Sequence, residues 1–125
     1  MNRKFSESRP IFQQIKEYIE DGIIEGRFAE GEKIPSSNEF AEFFQINPAT
    51  AAKGVNLLVE EGILFKRRGL GMFVTEGAKK KLKDKRKEIF AREYVQKMLE
   101  EAERLNISVE ELKGIIEEKR EVMKK

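Results

Sequence analysis

Asn47, Thr50 and Lys53 stand three residues apart, a spacing that puts consecutive members on neighbouring positions of a helix surface. Between them they offer an amide and a hydroxyl that both donate and accept hydrogen bonds, and one full positive charge. Arg67 and Arg68 add two planar guanidinium groups directly before Gly69-Leu70-Gly71. Ser36, Ser37 and Asn38 form a third polar group, ahead of the apolar Phe40 and Ala41. This is recognition chemistry, suited to anions and hydrogen-bonding edges, with no bond made or broken. Bond-making chemistry has few candidates, because the 125 residues include no histidine and no cysteine. Thiolate and imidazole metal ligands are therefore missing, along with Ser/His/Asp and Cys/His nucleophile systems. The carboxylate pairs Glu60/Glu61 and Glu110/Glu111 are neighbours on helix surfaces and read as solvated. We expect no catalytic residue, no metal site and no cofactor.

The composition, 39% hydrophobic and 38% charged, holds enough apolar material for a core and well more than the usual quarter of charged residues. With 125 residues it describes a charge-rich, helical protein of one ordinary domain, or of one small domain with an appendage. No apolar run is long enough to span a membrane, and Met1-Asn2-Arg3-Lys4-Phe5-Ser6 lacks the hydrophobic stretch of a signal peptide, so a cytoplasmic location is expected. Charge is unevenly spread. Residues 1–77 hold 10 Lys/Arg against 12 Asp/Glu, whereas residues 78–125 hold 15 against 11. Most of the excess lies in Lys79, Lys80, Lys81, Lys83, Lys85, Arg86 and Lys87, a run that fits a solvated helix face or a phosphate-contacting patch.

Hydrophobic periodicity supplies the elements that must hold these groups. Ile11, Phe12, Ile15, Ile19, Ile23 and Ile24 recur at helical spacing between Pro10 and Gly26, which predicts a first helix over about 10–25. Residues 26–33 carry two glycines and no period and read as a loop. Ser36 and Glu39 have the S-x-x-E spacing of a capping box, so a short second helix starts at Ser37. Asn47-Pro48 opens a third helix, with Asn47 as N-cap and Pro48 at the first helical position, and Gly62 ends it. Two β-prone runs, 63–68 and 72–75, flank Gly69-Leu70-Gly71 and predict a hairpin.

Beyond about Ala78 nothing breaks a helix before Asn106. On its wheel Ala91, Val95, Met98, Ala102 and Leu105 centre an apolar stripe, widened by Phe90, Tyr94 and Leu99 to about half the circumference. A second S-x-x-E, Ser108 to Glu111, with Ile107 and Leu112 as a staple, opens a last helix that presents Leu112, Ile115, Ile116 and Met123 on one side.

A short helix, a tight connection and a second helix with small polar residues at its start make a helix-turn-helix, and the hairpin after it makes the winged variant. Its use is to lay the N-terminal part of the second helix along base edges in the major groove of DNA, with phosphates at helix N-termini. Asn47, Thr50 and Lys53 fit that work. Each also has a local explanation: Asn47 as N-cap, Thr50 bonding its own backbone, Lys53 as an exposed lysine.

Taken together, Gly31 to Ala41, Asn47 to Lys53, Leu58 to Ile63 and Arg67 to Val74 resemble, in order, the DNA-binding domain of the GntR family of bacterial transcription regulators. The Asn-Pro-x-Thr-x-x-Lys form of the third helix, followed by two helices, is similar to the YtrA-type subfamily. The resemblance implies a winged helix-turn-helix domain over 1–76 and a two-helix dimerisation tail over 77–125. It implies a homodimeric regulator, usually a repressor, on a palindromic operator in double-stranded DNA. DNA contacts would fall to Ser36, Ser37, Asn38, Asn47, Pro48, Thr50, Lys53, Arg67, Arg68, Gly69 and Gly71. Dimer contacts would fall to Phe90, Tyr94, Val95, Met98, Leu99, Ala102, Leu112 and Ile116. Many family members carry arginine where this chain has Asn38, and others carry it where this chain has Pro48 and Ala52; the loss of those bidentate contacts to guanine should lower affinity or shift the preferred operator. Larger members append an effector-binding domain; none is expected in residues 78–125, and whether a small-molecule effector binds is left open by the sequence.

Two other classes fit the fold. A winged-helix adaptor would bind protein through its tail and would not need Lys53, Arg67 and Arg68 on one face. A replication or partition factor would use the same winged domain on DNA.

Overall fold

The structure, a computed structural model, describes residues 5–124. Residues 1–4, part of the segment scanned for a signal peptide, lie outside it. The chain divides into two compact units, one ending at Asp84 and the other beginning at Lys85.

In the first unit, α1 (Ile11–Glu25) begins directly after Pro10, which stands at the cap position one residue earlier than expected. Gly26 closes it in the left-handed region at φ 90°, where glycine has no side-chain penalty. Ile15, Ile19 and Ile23 are fully buried, joined by Tyr18, while Ile11 and Ile24 pack at the margin. Helix α2 (Ser37–Phe44) is fixed by a complete capping box. Ser36 Oγ accepts from Glu39 N at 3.1 Å, and Glu39 Oε1 accepts from Ser36 N at 2.9 Å. Phe40 and Ala41 face the core, whereas Phe43 points outward. Helix α3 (Pro48–Glu60) buries Ala51, Val55 and Leu58 against α1 and α2.

Gly54 sets the distance between α1 and α3. A Cβ there would lie 2.7 Å from the Phe12 carbonyl oxygen and 3.1 Å from the Ile15 side chain. The two helices therefore meet backbone to side chain at a depth that only glycine permits.

Strands β1 (Leu64–Arg67) and β2 (Gly71–Val74) pair antiparallel with Phe65 opposite Phe73 and Arg67 opposite Gly71. The turn between them closes with Leu70 N donating to Arg67 O at 2.9 Å, and Gly69 takes φ 78° at its third position. The segment read as a loop does more than connect. Gly31 N donates to Val74 O, Val74 N to Glu32 O and Ile34 N to Met72 O, so residues 31–34 line the free edge of β2.

Helix α4 (Ala78–Phe90) straddles the two units. Ala78 and Leu82 belong to the core of the first unit, so its boundary falls inside α4 and not after residue 76. In the second unit the helical run continues through a π-helical segment (Ala91–Val95) into α5 (Gln96–Arg104). The unbroken α-helix expected there is thus interrupted by one wider turn. Asn106, at φ 57°, ends the run, and Ser108 Oγ accepts from Glu111 N at 3.1 Å to start α6 (Val109–Met123). Ala102 and Leu112, expected among the dimer contacts, are already buried in the single chain. Phe90 (57% exposed), Tyr94 (67%), Leu99 (44%) and Ile116 are open to solvent.

Candidate nucleic-acid interface

The connection between α2 and α3 is short and strongly determined. Gln45 adopts the left-handed conformation at φ 56°, and its Nε2 donates to Glu42 O at 2.7 Å. Ile46 N then donates to Ala41 O at 2.9 Å, which turns the chain so that Asn47 can cap the next helix. Asn47 Oδ1 accepts from Ala49 N at 2.8 Å. Its oxygen is committed to the cap, and its NH2 group is what it has to offer a ligand. Asn47, Pro48 and Lys53 are exposed and Thr50 is half-buried, so the first two turns of α3 present a polar surface.

Lys53 is not simply extended into solvent. Its ammonium nitrogen sits 3.9 Å from the centre of the Phe12 ring on α1, a cation–π contact. Sequence reasoning placed Phe12 in the apolar face of α1 and missed this role. The wing behaves in a similar way. Arg67 holds its guanidinium 5.3 Å from the Phe73 centroid and 5.8 Å from Phe65, rings that stack across the two strands at 5.7 Å. Equal spacing of the two phenylalanines from the turn was the available signal for that pair. Arg68, Gly69 and Leu70 form the exposed tip. Gly71, at φ 121°, has a structural duty, since a Cβ there would lie 2.8 Å from Lys33 Cε.

Ser36 and Ser37 stand half-buried at the start of α2, and Asn38 is exposed beside them. The backbone and hydroxyl hydrogen bonds from Ser36 hold the Glu39 carboxyl below its ordinary range. Glu30 is similarly lowered, first by the Gly77 backbone N–H and then by that of Lys79, each at 3.0 Å. Its carboxylate thereby caps α4 and ties it to the loop beside the wing. The lysine run divides in function. Lys81 Nζ donates to Glu61 O at 2.6 Å, completing the C-terminus of α3, and Lys80 pairs with Asp84 at 2.7 Å.

Among the described residues there is no His/Cys/Asp/Glu group arranged for a metal ion, and no helix is long and apolar enough to cross a membrane.

A capped helix, a three-residue turn, a second capped helix with an exposed polar start and an arginine-tipped hairpin define a winged helix-turn-helix, a class of DNA-binding domain. Comparison with known proteins narrows the class. The chain belongs to the GntR family: the sequence profile of bacterial regulatory proteins of the gntR family matches residues 11–74. It is accordingly a DNA-binding transcription regulator, of a family without enzymatic activity.

Among relatives in Bacillus subtilis (strain 168), the transcriptional regulator YhcF is 31% identical over 92% of this chain and 94% of its own length. The transcriptional repressor YtrA is 31% identical over 89% of this chain and 85% of its own. YisV is 39% identical over 62 residues, and there the match spans only 13% of the relative. A solved GntR-family regulator from Bacteroides thetaiotaomicron superposes with a TM-score of 0.77 at 31% identity, covering 90% of this chain and 98% of that one. The DNA-binding domain of AraR, solved in complex with an operator, superposes with a TM-score of 0.52 at 33% identity over 60% of this chain and 92% of its own. The near full-length likeness to YtrA agrees with the small, YtrA-type form of the family.

Proposed function

We propose that two copies of the chain join through the second unit, beginning at Lys85, and bind a palindromic operator with the winged domain of the first, repressing transcription in the bacterial cytoplasm. One observation carries the dimer: the large apolar side chains Phe90, Tyr94, Leu99 and Ile116 of the tail are exposed in a single chain, with the Phe90 and Tyr94 rings 5.6 Å apart. Such exposure on a charge-rich tail calls for a partner. A second copy supplies the same side chains and the two-fold symmetry that a palindrome requires. Met98 and Val95 join them, the latter half-buried.

On the DNA, α3 lies in the major groove with Asn47, Pro48, Thr50 and Lys53 toward the bases. Ser36, Ser37 and Asn38 meet a phosphate at the start of α2, and the wing tip with Arg67, Arg68, Gly69 and Gly71 meets the backbone or minor groove. Repression is the activity of YtrA, to which the chain is similar over most of its length.

A binding selection on randomised duplexes with purified protein tests the reading. A two-fold symmetric motif, enriched over the starting pool and bound by two copies, supports it. An unenriched pool, or a motif with one half-site bound by one copy, refutes it.

A further inference from the structure

Beside α2, on the first unit, lies an open cleft of about 630 Å³ lined by residues between Tyr18 and Gln45. Its walls are aromatic, with Phe43 exposed and Phe28 and Phe44 half-buried over the nearly buried Tyr18 and Phe40, and its charged lining consists of Glu39 and Glu42. No lysine or arginine lines it among the described residues. The size falls within the range of small-molecule sites, ~300–1,000 Å³.

The sign of the charge decides what fits. Ring faces carry negative quadrupole potential, and two carboxylates add to it. Glu39 stays ionised because the Ser36 hydrogen bonds favour its charged form. A phosphate or other anion is therefore repelled, which separates this cleft from the DNA-facing surface. The aromatic cluster already attracts one cation from outside: Arg27 holds its guanidinium 4.9 Å from the Tyr18 ring centre and 5.8 Å from that of Phe28. Phe43 stands 57% exposed at the cleft although it is a large apolar side chain, with its ring edge-to-face on Phe44 at 5.0 Å. It offers apolar contact to something other than the core.

We infer that this cleft is a binding site for a hydrophobic organic cation, held by the aromatic walls and by the carboxylates of Glu39 and Glu42. The site goes beyond the operator reading and is measured without DNA, so either can fail alone.

The experiment is isothermal titration calorimetry on the full chain with tetraphenylphosphonium, and with tetraphenylborate as a probe of the same shape and opposite charge. Tetraphenylphosphonium should bind once per chain, at least about tenfold more tightly than tetraphenylborate. Glu42→Gln and Phe43→Ala should each weaken it about three- to tenfold. Their melting temperatures should stay close to that of the unsubstituted protein, since both side chains are exposed. The proposal is overturned if tetraphenylphosphonium does not bind, if tetraphenylborate binds as tightly, or if neither substitution changes the affinity, which would put the probe on the apolar tail.

Discussion

The ammonium group of Lys53, on α3, rests 3.9 Å from the centre of the Phe12 ring, on α1. The contact limits the rotamers of a long side chain that otherwise loses conformational entropy on binding. An ammonium with one face on a ring still has N–H groups for a phosphate or a base. Phe12→Leu should therefore weaken operator binding about two- to fivefold, the equivalent of an exposed cation–π contact of ~0.5–1 kcal/mol. Fluorescence anisotropy on the selected operator measures it. Tighter binding by the variant would show that the ring holds Lys53 away from the DNA.

Gly54→Ala sets two effects against each other. Alanine raises helix propensity by ~1 kcal/mol, but the new Cβ would fall 2.7 Å from the Phe12 carbonyl oxygen, a backbone atom that moves only with α1. Overpacking of this kind costs ~1–3 kcal/mol and wins. Urea unfolding should show a lower midpoint at an unchanged slope. A midpoint equal to or above that of the parent would mean that the two helices pack less closely than described.

Glu30 makes stability depend on pH. Its carboxyl is lowered in the folded chain by the Gly77 and Lys79 N–H groups, so the unfolded chain binds a proton more readily. The stabilisation is thus present above the ordinary carboxylate range and is lost as pH falls through the lower, folded value. Melting temperature should drop on acidification through that window, and Glu30→Gln should flatten the drop while lowering stability at neutral pH. Identical pH profiles for the two proteins would contradict the role of the cap.

Leu99→Glu tests the tail. The residue is 44% exposed in one chain, so the substitution leaves the fold of a single copy intact. In an apolar seam it strands an unpaired charge, which costs far more than it does in water. Sedimentation should shift from a dimer to a species of 14.5 kDa. A dimer that persists at micromolar concentration would move the seam elsewhere.

Base reading and phosphate positioning should fail differently. Thr50→Ala should cost ~1–3 kcal/mol on the selected operator and much less on random duplex, because a lost base contact removes discrimination. Ser37→Ala should weaken both about equally, as loss of a phosphate contact does. Parallel losses for the two variants would remove Thr50 from the reading surface.

What was legible in the sequence was local. The Ser36/Glu39 capping box, the Asn47-Pro48 start of α3 and the hairpin around Gly69 each depend on residues a few positions apart, and each is present in the structure. The family resemblance drew on the same short blocks. The contacts that escaped it join distant segments: Glu30 to Gly77, Lys53 to Phe12, Lys81 to Glu61. Nothing in a period of 3.6 or 2 announces that a loop carboxylate will cap a helix 47 positions later. Nothing in the sequence marks Gly54 either, because the atom that excludes a side chain there belongs to another helix.

The π-helical segment at Ala91–Val95 fixes the phase of the tail. A wider turn takes up one extra residue, and each residue advances a helix by about 100°. The apolar side chains after it, Met98 and Leu99, are thereby rotated relative to Phe90, before it, by an amount that a regular helix would not give. The direction in which α5 presents its side chains is consequently sensitive to how many residues precede it. A single deletion within 91–95 would restore a regular helix, leave the composition almost unchanged, and turn the face of α5 away from the direction set by Phe90.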